Sequence, residues 1–198
     1  MRELIIIFLA GVMLITPSVI KYEEKAKMAD TYRDEAWNGF LADEIPAYYK
    51  DGETTFYYSD LDYAMYDEGT KPQYTLRDYD NDGESEMWIQ GDYGGIFLDN
   101  TDGKISVFEE GEGTVSVVAA VQYESAYWIE HCDLTHSGRQ TRLFTKYEGA
   151  DNIVDTFELN AEYWDSDTDQ YDENSDFTYR GRKITMEEYE DILSKFTN

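Results

Sequence analysis

The stretch GGIFLDNTDGKISVFEE, Gly94–Glu110, contains two short runs of strand-forming residues joined by a turn signal. The dipeptide Asp102-Gly103 readily adopts the positive φ angles of a two-residue hairpin turn. In the second run, Ile105 and Val107 share one face and alternate with Lys104 and Ser106, which is the two-residue period of a half-buried strand. The stretch therefore predicts an antiparallel β-hairpin.

Similar runs recur about every ten residues, and the links between them are short and rich in turn residues. This spacing favours an antiparallel meander over strands joined by crossover helices. TVSVVAAVQ, Thr114–Gln122, is apolar on both faces and predicts a central strand. The predicted strands are Thr54–Tyr58, Met87–Gln90, Gly95–Asp99, Lys104–Phe108, Thr114–Gln122, Tyr127–Asp133, Arg139–Tyr147 and Ile153–Leu159.

A helix is predicted at each end of this meander. Residues 22–45 carry apolar side chains at three-to-four spacing, and Pro46 ends or bends that helix. Near the C-terminus, Thr185 and Glu188 fit a capping box that precedes an apolar stripe. The stripe consists of Met186, Tyr189, Ile192, Leu193 and Phe196. The fold class predicted is therefore mainly β (α+β), with one antiparallel meander and two flanking helices.

Composition limits the partners that the chain can bind. The 198 residues carry a formal net charge of −27, so nucleic acid is excluded as a partner because its phosphates would be repelled. Aromatic residues make up 16% of the chain, which argues against disorder. The lone Cys132 excludes an internal disulfide.

The segment Leu4–Ile20 is apolar and uncharged. It is read either as a signal peptide that is cleaved or as a membrane anchor that is retained. Residues 1–21 are accordingly assigned to this leader, and residues 22–198 to a single exported β-rich domain. We expect an extracellular or cell-surface location, with contact to the membrane only where residues 4–20 are kept.

The most informative motif is RDYDNDGESEMWI, Arg77–Ile89, which places acids on alternate residues. If Asp78 is position 1, then Asp80 is 3, Asp82 is 5, Gly83 is 6, Glu84 is 7 and Glu86 is 9. Ca²⁺ prefers six to eight oxygen ligands, and a tight loop with Gly at its turn delivers them from alternate positions. Position 7 would offer its backbone carbonyl, so the Glu84 side chain need not bind. The loop therefore predicts a structural Ca²⁺ site formed by Asp78, Asp80, Asp82, Glu84 and Glu86.

Three weaker patterns are left open. The acidic stretch Asp165–Glu173 imitates the same spacing but has Gln170 at the sixth position, so it is read as a solvated loop or a second ion site. His131, Cys132 and His136 lack the paired spacing of a strong zinc motif, and a hairpin with cross-strand salt bridges is the simpler interpretation. The aromatic residues fit a core or a sugar-stacking platform. The named candidates are Tyr57, Tyr58, Trp88, Tyr93, Tyr127, Trp128, Tyr163 and Trp164.

Across nearly all of the exported part, the chain resembles a group of exported or membrane-anchored proteins of Gram-positive gut bacteria. Stretches that carry the likeness include YGGIFLDNTDGKISVF, YWIEHCDLTHSGRQ, KYEGADNIVDTFEL and RGRKITMEEYEDIL. The loop D-x-D-x-D-G-x-x-E resembles the calcium loops of the integrin-α FG-GAP type, which lie in β-hairpins. The resemblance implies a location and transfers no catalytic residue.

The function expected from these observations is a calcium-stabilised, non-catalytic cell-surface or binding module. A carbohydrate or another cell-envelope ligand is its candidate partner, besides Ca²⁺. The alternative is a hydrolase that acts on carbohydrate or peptidoglycan through paired carboxylates, with Glu130, Asp133 or Glu158 as candidates.

Overall fold

The structure is a computed structural model that describes residues 31, 33–63, 72–91, 94–113, 116–133, 136–164 and 169–197. The predicted leader, residues 4–20, and the first part of the predicted N-terminal helix lie outside the described residues. Within the described part of the chain, none of the helices has the length and apolar character needed to cross a membrane.

Twelve described strands form two six-stranded sheets, each built from one continuous part of the chain. The first sheet contains β1 (Ala47–Tyr48), β2 (Thr55–Phe56), β3 (Gln73–Arg77), β4 (Glu86–Gly91), β5 (Gly94–Thr101) and β6 (Lys104–Glu110). The second contains β7 (Val117–Tyr123), β8 (Ala126–Asp133), β9 (Arg139–Tyr147), β10 (Ile153–Glu162), β11 (Asp176–Tyr179) and β12 (Arg182–Ile184).

The strand order is β2-β1-β6-β5-β4-β3 in the first sheet and β12-β11-β10-β9-β8-β7 in the second. Among the described strands, β1 and β6 form the one parallel pair, and all other neighbours are antiparallel. The predicted mainly-β class is confirmed, but the single meander is divided into two sheets between β6 and β7.

Two helices cover the outer faces of the two sheets. Helix α1, described over residues 33–41, packs Trp37 and Phe40 against the first sheet. Helix α2, Met186–Leu193, packs Tyr189 against the second sheet. Between the sheets lies a third cluster of buried side chains, which includes Phe97 and Phe108 from the first sheet and Ile129 from the second. The molecule is therefore layered as helix, sheet, sheet and helix.

The predicted capping box of the C-terminal helix is confirmed. The Thr185 side chain accepts from the backbone N–H of Glu188, and the Glu188 carboxylate accepts from the backbone N–H of Thr185. The predicted stripe also lies in the core of the second sheet, with Phe196 stacked on Phe144 at a centroid distance of 4.3 Å. The N-terminal helix ends at residue 41, several residues before Pro46.

The prediction that Thr114–Gln122 forms a central strand is wrong. The corresponding strand β7 lies at the edge of the second sheet, where Gln122 forms an isolated bridge to Thr197. Its two-sided apolar character has another cause, because Val118 packs between the sheets and Val121 packs on the helical side. In a sheet that is covered on both faces, even an edge strand is apolar on both faces.

Candidate metal site

The acidic loop connects β3 to β4 and brings its carboxylates to the junction of the two sheets. Asn81 and Gly83 have φ angles of +63° and +92°, so the backbone turns twice through the left-handed region. Asp80 and Glu86 are fully buried, while Asp82 and Glu84 are exposed. The sequence thus places two of its acids inside the protein, where an ionised carboxylate is costly without a partner.

A further carboxylate, that of Asp99 on β5, joins this group. Asp99 follows Leu98, the register partner of Met87, and is therefore next to Glu86 across the two strands. Carboxylate oxygens of Asp80, Glu86 and Asp99 all lie within 4.8 Å of one another, and so do those of Asp78, Asp80 and Asp82. Asp80 belongs to both groups, so it connects the two triads of carboxylates.

Several oxygens of these acids have no hydrogen-bond partner. They are Oδ1 of Asp78, Oδ2 of Asp80 and Oε1 of Glu86, and all three atoms are buried. The opposite oxygen of Glu86 accepts from the backbone N–H groups of Tyr79 at 2.7 Å and Asp80 at 3.2 Å. The loop backbone therefore fixes the orientation of Glu86 and leaves its other oxygen available to a ligand.

The environment of Asp80 and Glu86 is unfavourable to their own charges. Burial, followed by the charge of Asp80, raises the pKa of Glu86. Burial, followed by the charge of Asp82, raises the pKa of Asp80. A cation among these oxygens would favour the charged forms instead, because opposite charges at short range stabilise ionisation.

The predicted ligand set is brought together except for the side chain of Glu84. That carboxylate forms an ion pair with Arg33 of α1, and half of it is exposed. A contribution from the Glu84 backbone carbonyl stays a prediction. The sequence interpretation missed Asp99, although an acid directly after the apolar run Ile96–Leu98 was a visible signal. These residues fit a hard divalent cation, which prefers carboxylate oxygens.

The other candidate sites are arranged differently. Burial raises the pKa of the Cys132 thiol to about 11, so thiolate is scarce at neutral pH. His131 Nδ1 lies 3.0 Å from Ser116 Oγ, and His136 Nδ1 lies 2.6 Å from Asp133 Oδ2. This segment provides a buried thiol and two separately engaged imidazoles, and its described contacts do not form a metal site.

Two of the candidate acids of a hydrolase, Glu130 and Glu158, do not meet in one cleft. Glu130 is opposite Phe144 on β9, whereas Glu158 is opposite Leu143, the neighbouring residue. Successive residues of a strand point to opposite faces, so Glu130 and Glu158 lie on opposite sides of the sheet. Glu130 is also paired with Arg142, and Asp133 contacts His136.

The stretch Asp165–Glu173 is described only from Asp169 onward. There the Asp169 side chain accepts from the backbone N–H of Gly138 at 2.8 Å and from the Ser137 hydroxyl at 3.3 Å. Its carboxylate thus stabilises the turn between β8 and β9. Whether the stretch binds a second ion stays a prediction, since residues 165–168 lie outside the described part.

A comparison of the chain with protein-family models, curated proteins and solved structures finds no match.

Proposed function

We propose that this protein is an exported, non-catalytic cell-surface binding module whose fold is stabilised by one Ca²⁺ ion. The ion is held by Asp78, Asp80, Asp82, Glu86 and Asp99, and the leader at residues 4–20 directs export. The observation that carries the proposal is the pair of buried, unpartnered oxygens of Asp80 and Glu86. Two such groups side by side are destabilising without a cation, because each loses its hydration and repels the other.

Calcium is favoured over other divalent cations by the donor set. All of the candidate ligands are carboxylate oxygens, so softer metals that prefer sulfur or imidazole have no suitable partner among them. Five acids supply more oxygens than the one or two carboxylates with which Mg²⁺ is usually bound. Calcium accepts six to eight oxygens in irregular geometry, which suits a loop combined with a strand residue.

The position of the loop indicates what the ion would do. The Asp80 carbonyl accepts from the backbone N–H of Gly149, and Asn81 contacts the backbones of Tyr127 and Tyr147. These three partners belong to the second sheet or to the turn after β9, while Glu86 and Asp99 belong to the first. An ion in the loop would therefore stabilise the junction of the sheets, which is a structural role.

The test is thermal unfolding of the purified protein in 1 mM Ca²⁺ and in chelator. A site with a Kd of about 10⁻⁴ M would add about 1.4 kcal/mol at roughly 1 mM Ca²⁺. We expect the melting temperature to rise by about 3–6 °C, and by less in Mg²⁺.

The variant Glu86→Gln sharpens this test. Burial and the charge of Asp80 raise the pKa of Glu86, which costs stability at neutral pH, and a neutral amide avoids this cost. We therefore expect the variant to be more stable than the wild type in chelator and to lose its response to Ca²⁺. Asp102→Asn is the matched control, since Asp102 is an exposed turn residue with φ +53° that Asn tolerates well. A wild type that does not respond to Ca²⁺, or a Glu86→Gln variant that responds equally, would refute the metal site.

A further inference from the structure

A cleft lies at the end of the second sheet, away from the acidic loop. It has a volume of about 230 Å³ and is lined mainly by the end of β10 and by the turn that precedes β11. Pockets that enclose a drug-sized molecule have volumes of about 300–1,000 Å³. The cleft is smaller than this range, so it suits one ring of a larger ligand.

The wall of this cleft carries Trp164, a residue that is 61% exposed. Among the described residues, no other large hydrophobic side chain is as exposed. Exposing an indole forgoes the burial that stabilises most aromatic side chains. An exposed Trp in a cleft is therefore a candidate surface for stacking with a ligand.

The indole is also held in a fixed position. A Cβ atom at Gly138 would overlap its six-membered ring, so the ring lies directly on the backbone of the turn between β8 and β9. The indole Nε1–H donates to Glu162 Oε2 at 3.4 Å, and the Tyr163 backbone N–H donates to the Gly138 carbonyl at 2.7 Å. A stacking surface that is already ordered costs little conformational entropy when a ligand binds.

The rest of the cleft is polar. The other polar residues that line it are Glu162, Asp172, Asn174, Ser175 and Asp176, which carry carboxylate, amide and hydroxyl groups. Carboxylates accept hydrogen bonds, while amide and hydroxyl groups both accept and donate them. A rim of this kind around one aromatic face is complementary to a sugar ring, which has an apolar C–H face and hydroxyl groups at its edge.

Charge narrows the class of ligand. Three of the lining residues are acidic, and one of them, Asp176, is paired with Lys183. The chain as a whole carries a net charge of −27. Anionic polymers, such as those with phosphate or uronic acid groups, would be repelled. Tyr163 is buried, so Trp164 presents a single aromatic face and not the cage that encloses a quaternary ammonium group.

We infer that the cleft beside Trp164 binds a neutral carbohydrate, with the sugar ring stacked on the indole and its hydroxyls bonded to the surrounding carboxylates and Asn174. The inference rests on the binding role of the proposed function and does not depend on the calcium ion. It assigns a ligand class to a cleft on the second sheet. This cleft is remote in sequence from the acidic loop.

The experiment is calorimetric titration of the purified protein with maltotetraose, cellotetraose and chitotetraose, each in Ca²⁺ buffer. We expect at least one of the three to bind the wild type. Trp164→Ala should weaken that binding at least tenfold, and Asn174→Ala at least threefold. Tyr57→Ala is the matched control, because Tyr57 is an exposed aromatic residue outside the cleft. The affinity of this variant for the sugar should equal that of the wild type.

A second variant at Trp164 and a pair of charged probe ligands serve as further controls in this titration. Trp164→Phe retains an aromatic face, so it should bind within about threefold of the wild type and should show that loss in the Ala variant is not unfolding. Tetragalacturonic acid and a lysine tetrapeptide are the charged probes, and neither should bind. The inference is overturned if no neutral tetrasaccharide binds, if binding survives Trp164→Ala, or if only the cationic peptide binds.

These outcomes are separate from those of the calcium test. If the wild type is stabilised by Ca²⁺ but binds no neutral sugar, the metal site is supported and the carbohydrate cleft is refuted. If the protein binds sugar through Trp164 but is not stabilised by Ca²⁺, the carbohydrate cleft is supported and the metal site is refuted.

Discussion

Asn81 of the acidic loop and Tyr127 of β8 are joined by a reciprocal pair of hydrogen bonds. The Asn81 Oδ1 atom accepts from the Tyr127 backbone N–H at 2.9 Å, and its Nδ2 atom donates to the Tyr127 carbonyl at 3.0 Å. The same Nδ2 atom lies 3.1 Å from the carbonyl of Tyr147. One carboxamide therefore replaces a strand partner for β8 and connects the loop to the second sheet.

Replacing Asn81 by Ala should destabilise the protein by about 2–4 kcal/mol, because it removes these hydrogen bonds. Ala at φ +63° also keeps the strain of a Cβ atom and lacks the side-chain hydrogen bonds that offset this strain for Asn. Denaturant unfolding measures the change. Asn81→Gly removes the same hydrogen bonds without the strain, so it should be less damaging than Ala. Equal stability of Asn81→Ala and the wild type would show that the connection contributes nothing.

Asp99→Asn should lower the affinity for Ca²⁺ at least tenfold, because it removes a charged ligand that lies next to Glu86. Titration with Ca²⁺, followed by intrinsic fluorescence or calorimetry, gives the affinity. Glu84→Gln is the matched control. The Glu84 side chain is paired with Arg33, so the affinity of this variant for Ca²⁺ should stay within about threefold of the wild-type value. The opposite ranking of these two variants would assign the ligand role to Glu84.

Glu109 should make stability depend on pH below about 4.5. Burial alone would raise the pKa of its carboxyl, but hydrogen bonds from His131 and Tyr147 and the charge of Lys50 outweigh burial and lower the pKa to about 2. A folded pKa below the unfolded value stabilises the protein above the unfolded pKa, and this stabilisation is lost as pH falls from about 4.5 to about 2. A shift of this size corresponds to about 3 kcal/mol.

The comparison of Glu109→Gln with the wild type isolates this effect. The difference in unfolding free energy between the two proteins should be largest above about pH 5 and should shrink toward pH 2. Urea unfolding across this range measures it. A difference that does not change with pH would mean that the carboxylate and the neutral amide interact equally with His131, Tyr147 and Lys50.

Thr185→Ala should cost about 1 kcal/mol, because the first turn of α2 loses its N-cap. Thr185→Ser keeps the hydroxyl group and should cost only a few tenths of that amount. Chemical unfolding distinguishes the two variants. If both lose the same stability, the methyl group of Thr185 matters and the capping bond does not.

Local chemistry made much of the fold predictable. Asp102 and Gly103 have φ angles of +53° and +84°, as the hairpin signal predicts, and Arg139–Tyr147 forms a strand with the predicted bounds. The capping box at Thr185 was likewise encoded within four residues. These features depend on neighbours in the sequence, so a single chain is sufficient to infer them.

Features that depend on distant partners were missed. The strands Ala47–Tyr48 and Arg182–Ile184 are too short to show a two-residue period, and they exist because a neighbouring strand pairs with them. Asp99 was visible in the sequence as an acid after an apolar run, but only the register of β4 and β5 places it next to Glu86. The division of the meander into two sheets likewise arises because the faces of the two sheets pack against each other. The spacing of strands along the sequence does not show which faces pack together.

The layout of the sheets has a consequence for biogenesis. All strands of the first sheet precede all strands of the second, so hydrogen-bond ladders in the first can close before the remaining chain is available. Short sequence separation between paired strands favours rapid folding of each half. Phe97 and Phe108 nevertheless lack their contacts with the second sheet until β7 and β8 have been made. The half-synthesised chain is thus the form most prone to aggregation, and the one for which a chaperone would matter most.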